Sequence, residues 1–360
     1  MLLHNRRMIS AIQYLRLVLF LLFTATVSAE EFGTVILQYH HVDTSTPAIT
    51  SISIDDFRSH LDYLSENDYY VQTARELIST LSSDNEIPDK RVSITFDDAY
   101  KSIYTNAYPL LKQKRFPFTI FVTTDLIGRR HYLSADQLRE MQQHGATIAN
   151  HTHSHTHLLR MKTAESNDAW LLRVKAEIEQ AQAILESEFG ETPRLLAYPY
   201  GEYNQQVLDL VGQMGFVGFG QQSGAAGKGS SLLVLPRFPL SGIYTDLNSF
   251  RLKIRTLPMP LHVFPVLDPQ VSEPTSQPTL SLQFKQGNFR LYQLSCYGPG
   301  GLTDLRQLSA TEFIARSKVP VPVGRSRYNC TMPVNNSDRF YWFSQLWIRK
   351  NDDGTWYPEL

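Results

Sequence analysis

Two adjacent aspartates, Asp97 and Asp98, end a short apolar segment that has the composition of a buried strand. Neighbouring carboxylates repel each other, and a divalent cation bound to one of them relieves that repulsion. A second polar cluster, residues 150–157, reads Asn-His-Thr-His-Ser-His-Thr-His, and a third, residues 197–201, reads Ala-Tyr-Pro-Tyr-Gly. Each of these also follows a strand-like segment. The three clusters together contain the residue types of a metal site with a free carboxylate beside it.

Two histidines and one carboxylate form a common zinc ligand set that leaves positions open for water and substrate. The remaining carboxylate is then available as a general base. The histidine spacing alone allows two pairs, His151 with His155 or His153 with His157. On an extended strand all four would face one way, whereas on a helical turn the two pairs would lie on different faces. Each cluster alone could be a solvated turn or a histidine-rich loop, but their combination at three strand ends favours a site.

From residue 34 to about 257, apolar strand-like segments alternate with amphipathic helix-like ones, which predicts a parallel β-sheet covered by helices. The predicted strands are Thr34–Tyr39, Arg91–Phe96, Pro117–Thr123, Ala146–Asn150, Leu195–Tyr198, Phe216–Gln221 and Leu233–Leu240. The predicted helices are Asp55–Ser65, Ser134–His144, Ala164–Glu188 and Asn204–Met214. Seven strands favour a barrel over an open sheet. In a parallel barrel the carboxyl ends of the strands share one face, which would bring the three polar clusters together.

The composition changes at Pro258, after which prolines recur to residue 278. We interpret residues 30–257 as the barrel, 258–274 as a proline-rich linker and 275–360 as a small all-β C-terminal domain. The strands predicted in that domain are Thr279–Phe284, Phe289–Leu294, Arg327–Thr331 and Phe340–Ile348. The chain has two cysteines, Cys296 and Cys330, and we expect them to form a disulfide.

Residues 1–29 have the pattern of a secretory signal peptide. Arg6 and Arg7 precede the apolar segment Leu17–Phe23, and small residues end the pattern at Ala29. An uncleaved anchor is the alternative, but Arg16 interrupts the longer apolar stretch that a membrane span would need. We therefore expect cleavage after Ala29, no stable membrane span afterwards, and an exported protein in the periplasm or outside the cell.

The charge, length and composition of the chain exclude some classes of protein. The chain has 34 Lys and Arg against 35 Asp and Glu, a net charge of −1, and no basic block. Nucleic-acid binding needs concentrated positive charge, so no nucleic-acid partner is expected. With 42% hydrophobic residues over 360 positions, the chain can bury a sizeable core and is not a disordered protein.

The segments TFDDAY (95–100), His-Thr-x-x-His (151–155) and Pro-Tyr-Gly (199–201) resemble the motifs of the polysaccharide deacetylases of carbohydrate esterase family four. The resemblance covers about residues 34–245. The segment Gln38-Tyr39-His40-His41 is similar to the first strand of the poly-N-acetylglucosamine deacetylase branch. The resemblance implies a distorted (β/α) barrel of about seven strands and metal-dependent hydrolysis of an acetyl group.

The resemblance also implies roles for individual residues. Asp97 matches the catalytic base, and Asp98, His151 and His155 match the metal ligands, since Asn150 before His151 fits the family best in that register. Tyr200 matches the residue whose backbone N–H helps to hold the oxyanion. The expected cofactor is a divalent metal, zinc by default, and the same ligands would also accept cobalt or nickel. Five further residues are assigned to substrate binding or to the shape of its loop: His40, Tyr100, Pro199, Gly201 and Tyr203.

Two positions depart from the family pattern. Many members have an arginine that orients the base two residues before the proline of the third motif, where this chain has Ala197. Arg237 also follows a strand-like segment, and we predict that it replaces the missing arginine. The histidine that serves as general acid in the family has no clear match here. His262 and His40 are weak candidates for it.

The expected function is removal of N-acetyl groups from an acetylated polysaccharide that contains N-acetylglucosamine. Removal of O-acetyl esters from a polysaccharide is one alternative. A carbohydrate-binding protein on a decayed barrel is another, suggested by Ala197 and the missing general acid. The retention of Asp97, Asp98, His151 and His155 argues against that second alternative, because binding alone needs no such set.

Overall fold

The computed structural model describes residues 31–271, 273 and 275–358. The predicted signal peptide lies outside these residues. Within them, no helix is both long enough and apolar enough to cross a membrane.

Short buried strands and capped helices build the first part of the chain. All six side chains of the first strand are buried, as expected for a strand covered on both faces. The strands are β1 (Thr34–Tyr39), β2 (His41–Val42), β3 (Ser51–Ile52), β4 (Tyr70–Val71), β5 (Arg91–Phe96), β6 (Phe118–Val122), β7 (Ala146–Asn150), β8 (Leu195–Ala197), β9 (Val217–Phe219), β10 (Ala225–Ala226) and β11 (Phe238–Pro239). The helices are α1 (Ile54–Glu66), α2 (Ala74–Ser82), α3 (Tyr108–Lys114), α4 (Ala135–Gln143), α5 (Asn167–Phe189), α6 (Gln205–Gln213) and α7 (Leu247–Ile254).

The main sheet has the order β10-β1-β5-β6-β7-β8-β9, with β4 beside β5 and β11 beside β1. All of its pairs are parallel except β1 with β10. Residues 235–239 connect its two ends, because Leu235 bridges to Phe219 of β9 and Phe238 pairs with Leu37 of β1. The sheet therefore curls into a distorted barrel, and the predicted α/β fold of about seven strands is confirmed.

Local sequence signals explain where the helices begin. α2 starts with a capping box in which the Thr73 hydroxyl accepts from the Glu76 N–H and the Glu76 carboxylate accepts from the Thr73 N–H. Ser134 and Gln137 form the same motif at the start of α4. The Asn204 side chain caps α6 and so fixes the chain directly after the third polar cluster.

In residues 257–358, here called the C-terminal module, the regular elements of the described residues are β-strands apart from the 3₁₀ turn Leu291–Gln293. The strands are β12 (Leu257–Pro258), β13 (Gln270–Val271), β14 (Thr279–Gln283), β15 (Ser295–Gly298), β16 (Gly301–Leu302), β17 (Asp304–Gln307), β18 (Glu312–Arg316), β19 (Gly324–Pro333) and β20 (Phe340–Arg349). One sheet has the order β12-β20-β19-β15-β16 with β13 on β20, and the other has the order β14-β18-β17. The expected disulfide between Cys296 and Cys330 is present and joins β15 to β19.

Two details of the C-terminal module differ from expectation. The predicted strand Phe289–Leu294 is wrong, because Leu291–Gln293 form a single 3₁₀ turn in which the Tyr292 side chain is exposed. Within the segment predicted as a proline-rich linker, Pro258 of β12 and Gln270–Val271 of β13 pair with β20, and Met259 is buried in the core of the module. The boundaries proposed for the linker and for a separate C-terminal domain remain predictions, and the described residues between 31 and 358 group as one compact unit.

Candidate active site

The three polar clusters meet at one end of the barrel. Asp98 follows β5, and one oxygen of its carboxylate, Oδ1, lies 3.3 Å from His151 Nε2 and 3.1 Å from His155 Nε2. The three candidate ligand atoms all lie within 4.8 Å of one another. Asp98 Oδ1 is buried and accepts no hydrogen bond from any described residue. A buried oxygen without a partner is costly, so this donor set fits a bound cation.

The loop around His151 is fixed by hydrogen bonds. His151 Nδ1 donates to the Ala197 carbonyl at 2.8 Å, which leaves Nε2 directed toward Asp98. The Asn150 side chain, which is fully buried, donates to the Ile178 carbonyl and accepts from the Thr152 N–H. Hydrogen bonds of this kind set the tautomer and the ring orientation of metal-binding histidines.

The two histidine pairs are distinguished by geometry. His151 and His155 face Asp98, whereas His153 bonds to the Thr124 hydroxyl. His157 Nδ1 bonds to Glu202 at 2.9 Å, and its ring stacks on Tyr200. The structure therefore brings together the pair chosen from the sequence and places the other pair outside the ligand cluster.

Asp97 is fully buried and is held by two side chains. Arg237 donates to Oδ1 at 2.6 Å and to Oδ2 at 2.8 Å, and Gln38 also donates to Oδ2 at 2.7 Å. Burial alone would raise the pKa of Asp97, but the charge and hydrogen bonds of Arg237, with His151 and His40 adding to them, lower that pKa to about 2. Asp97 is therefore ionised at neutral pH and can accept a proton.

Backbone strain is concentrated in the three clusters. Several residues other than glycine adopt left-handed backbone conformations here: Asp98 (φ 69°), Ala99 (φ 59°), Thr152 (φ 67°), His155 (φ 55°) and Tyr200 (φ 59°). Such conformations persist only where the surrounding structure holds them, and they cluster at functional sites. Gly201, at φ 68°, continues the turn, and a Cβ added to it would lie 2.7 Å from Gln221 Cβ.

Aromatic rings border the ligand cluster on two sides. On one side Tyr100 stacks between His41, with ring centroids 3.6 Å apart, and Tyr132, at 5.1 Å. On the other side Tyr200 contacts His155, with ring centroids 4.6 Å apart. Burial, followed by the charge of Asp98, raises the pKa of Tyr100, so its hydroxyl stays protonated. Two partly exposed aromatic rings beside a polar centre suit a sugar substrate.

Some of the remaining predicted site residues lie near Asp97 and Asp98, and others do not. His40 Nε2 lies 3.9 Å from Asp97 Oδ2, and Pro199 is buried in the turn that carries Tyr200. Tyr203 is only 4% exposed and packs against Tyr198 in the core, so it offers no open face to a sugar ring. His262 is exposed, and its backbone pairs with Gln283 in the C-terminal module, so it is not among the residues gathered at Asp98.

Residues outside the sequence predictions also contribute. Gln38 contacts Asp97 because it pairs in register with Thr95, two positions before Asp97 on the neighbouring strand. Strand order and register could have identified it. Glu202 and Arg325 form an ion pair at 3.1 Å beside Tyr200, and no motif indicated that a residue so late in the chain would reach this loop.

The fold and the site define an α/β-barrel protein of the hydrolase type. The family model described as "Polysaccharide deacetylase" matches residues 84–219, which include all three polar clusters. The Bacillus subtilis (strain 168) protein YxkH, whose name places it among the polysaccharide deacetylases, is 30% identical over 207 residues, 57% of this chain and 71% of that protein. The chain belongs to the polysaccharide deacetylase family.

Other relatives agree with this assignment. A poly-beta-1,6-N-acetyl-D-glucosamine N-deacetylase of Staphylococcus aureus (strain MRSA252) is 27% identical over 198 residues, 53% of this chain and 68% of that protein. The Streptococcus pyogenes deacetylase PplD, solved with acetate, has a TM-score of 0.56 at 24% identity and covers 62% of this chain and 99% of its own. IcaB from Ammonifex degensii has a TM-score of 0.54 at 24% identity, and the match covers 62% of this chain and 95% of IcaB. These two structures support the barrel fold.

Proposed function

We propose that this protein is a metal-dependent deacetylase that hydrolyses N-acetyl groups on a polysaccharide containing N-acetylglucosamine. The observation that carries the proposal is the placement of Asp98, His151 and His155 around one point, with the Arg237-bound Asp97 beside them. Two imidazoles and one carboxylate can hold a catalytic metal ion with positions open for water, and a separate carboxylate can then serve as the base for hydrolysis of an amide.

The proposed cofactor is a divalent ion, zinc by default, held by Asp98, His151 and His155. Cobalt or nickel would fit the same donors. When bound, such an ion supplies Lewis-acid polarisation of the acetyl carbonyl. Asp98 Oδ1 is buried without a well-formed hydrogen bond and faces two imidazole nitrogens, which is the feature of this chain that supports a cation there.

The proposed reaction uses the protein residues as follows. A water molecule attacks the acetyl carbonyl carbon while Asp97 takes its proton. The backbone N–H of Tyr200 donates to the oxyanion of the tetrahedral intermediate. The carbon–nitrogen bond then breaks as the leaving nitrogen takes the proton that Asp97 received, which restores the Asp97 carboxylate, and the acetic acid formed ionises to acetate as it leaves. Arg237 and Gln38 hold the Asp97 carboxylate in one orientation throughout.

The proposed substrate is a β-linked N-acetylglucosamine polymer. The name of the Staphylococcus aureus relative states such a substrate for that protein. In this chain the Tyr100 and Tyr200 rings lie on either side of Asp98 and are partly exposed, so their open edges could contact a sugar ring. We also propose an exported location, periplasmic or extracellular, which the signal-like residues 1–29 and the Cys296–Cys330 disulfide support.

The test is acetate release by the purified protein from a panel of N-acetylated and O-acetylated glycans. We expect acetate from N-acetylglucosamine polymers, loss of release after the metal is stripped, and recovery when zinc is added. Asp97→Asn keeps the shape of the side chain but removes the base, so it should bind metal and release no acetate. Release from O-acetylated glycans alone would replace the N-deacetylase proposal with an esterase. No release from any glycan by the zinc-loaded protein would overturn both.

A further inference from the structure

Glu202 is a fully buried carboxylate directly after the Tyr200–Gly201 turn. Three groups meet it: His157 Nδ1 at 2.9 Å, the Tyr357 hydroxyl at 2.6 Å and Arg325 NH1 at 3.1 Å. A buried carboxylate needs such partners because an uncompensated charge in the interior is costly. Two of the three, Arg325 and Tyr357, belong to the C-terminal module.

The partners of Glu202 also contact Tyr200. The His157 ring stacks on the Tyr200 ring with centroids 3.8 Å apart and an interplanar angle of 7°. The Arg325 guanidinium lies 5.5 Å from the centre of the Tyr200 ring. Tyr200 is thus enclosed by a histidine that Glu202 holds and by an arginine that Glu202 also holds.

The turn that Tyr200 forms needs this support. Tyr200 has a left-handed backbone (φ 59°, ψ 5°), which costs free energy for a residue other than glycine. Hydrogen bonds from Gly201 N–H to the Tyr198 carbonyl and from Glu202 N–H to the Pro199 carbonyl close the turn. Asn204, at its far end, contacts Gln270 of β13 at 3.4 Å, which is a further contact with the C-terminal module.

We infer that the C-terminal module completes the active site: Arg325 and Tyr357 act through Glu202 and His157 as positioning residues for the Tyr200 turn. The family match ends at residue 219, so both residues lie outside the matched segment. The inference rests on the proposed function in that the Tyr200 backbone N–H is assigned to the oxyanion. Its structural part, that these two residues hold the turn, can be measured without any substrate.

The first experiment compares Arg325→Ala and Tyr357→Phe with Arg306→Ala. Arg306 is an exposed arginine on β17 of the same module and makes none of these contacts, so its substitution is the matched control. For Arg325→Ala we expect kcat to fall at least about tenfold with little change in KM, because a misplaced oxyanion donor affects the transition state more than substrate binding. Arg325→Lys keeps a charge beside Glu202 and should recover part of the loss. Unchanged kcat per folded molecule in Arg325→Ala, with only a lowered melting temperature, would overturn the inference.

The second experiment measures hydrogen–deuterium exchange of residues 198–204 without substrate. The Gly201 and Glu202 amides report directly on the turn, since both are hydrogen-bonded within it. We expect faster exchange there in Arg325→Ala and Tyr357→Phe, unchanged exchange in β5 and β6, and wild-type exchange in Arg306→Ala. Unaltered exchange of the turn in both variants would refute the inference even if the wild-type protein released acetate. If the wild-type protein released no acetate, the proposed function would fail, and this measurement would still decide whether the module holds the turn.

Discussion

Arg237 binds both carboxylate oxygens of Asp97 although the two residues are 140 positions apart in the chain. Both side chains are fully buried. Two parallel hydrogen bonds fix the plane of a carboxylate as well as its charge, which a single cation at a distance cannot do. Arg237, from the segment that bridges β9 and β1, thus makes the contact expected of a replacement for the arginine absent at position 197, and that replacement stays a prediction.

Arg237→Gln should impair both stability and activity. Removing one partner of a buried ion pair leaves the other charge uncompensated, which costs about 3–5 kcal/mol of unfolding free energy. Arg237→Lys keeps the positive charge but loses the two-pronged contact, so we expect an intermediate loss of stability and of kcat. Urea unfolding and acetate release measure the two effects. A fully stable and active Arg237→Gln protein would show that the pair is dispensable.

The histidine tract offers a test in which the control residue lies in the same loop. His151→Ala and His155→Ala remove candidate ligands, whereas His153→Ala removes only a contact with the Thr124 hydroxyl. We expect the first two to lose bound zinc, measured by elemental analysis, and the third to keep it. An ion present at about one hundred times its Kd adds about 2.7 kcal/mol of stability, so chelation should lower the melting temperature of the wild type and of His153→Ala. Loss of zinc only in His153→Ala would transfer the site to the other pair.

Much of the barrel and of the site could be predicted from the sequence because both depend on local patterns. Continuous apolar segments identified β1, β5, β6, β7, β8 and β9, and polar residues directly after three of these strands indicated where Asp98, His151 and Tyr200 would lie. In a parallel barrel strand ends share a face, so sequence order was enough to place these clusters near one another.

Other features depend on contacts that no local pattern encodes. Gln38 reaches Asp97 through strand register, and Arg325 reaches Glu202 from a different part of the fold, 123 positions later. Tyr203 was assigned to substrate binding, but its side chain is enclosed by the core cluster around Tyr198. The segment around Tyr292 has the composition of a strand, but no strand of the described structure pairs with it, and it forms an exposed turn.

Gly201→Ala should damage the turn for two separate reasons. The backbone is left-handed (φ 68°), and the added Cβ would lie 2.7 Å from Gln221 Cβ. Gly215 also has a positive φ (72°) but has open space where a Cβ would lie, so Gly215→Ala measures the backbone cost alone. We expect about 1 kcal/mol of destabilisation for Gly215→Ala and about 2–3 kcal/mol, with a large loss of kcat, for Gly201→Ala. Equal effects of the two substitutions on unfolding would argue against crowding at Gly201.

The environment of His60 leads to a prediction of how the free energy of unfolding depends on pH. Its ring accepts from the Tyr39 hydroxyl, donates to the Thr245 carbonyl and stacks on Phe250. Burial lowers the pKa of His60 to about 4 from the ordinary 6.5, opposed by the Thr245 hydrogen bond and the charge of Asp56. The unfolded chain therefore binds a proton at a higher pH than the folded chain does.

The direction of the pH dependence follows from this difference in the pKa of His60 between the folded and the unfolded chain. Above about pH 6.5, neutral His60 makes its full contribution to the free energy of unfolding. This contribution, about 3 kcal/mol in total, is lost as the pH falls toward about 4. His60→Gln cannot titrate, so its unfolding free energy should fall less steeply than that of the wild type between about pH 7 and pH 4.5. Urea unfolding at several pH values gives both slopes. Parallel slopes would mean that the pKa of His60 is the same in the folded and the unfolded chain.

The Cys296–Cys330 disulfide joins the neighbouring strands β15 and β19 within the core of the C-terminal module. The two residues are 34 positions apart, and closing a loop of that size in the unfolded chain corresponds to about 4 kcal/mol on the chain-entropy account. Cys296→Ala with Cys330→Ala should therefore lower the unfolding free energy by up to about that amount. Reduction of the wild-type protein should have the same effect and should leave the double variant unchanged. Because the disulfide lies in the module that supplies Arg325, its loss should also speed hydrogen exchange in residues 198–204 before the barrel unfolds. A turn that stays protected until global unfolding would contradict this coupling.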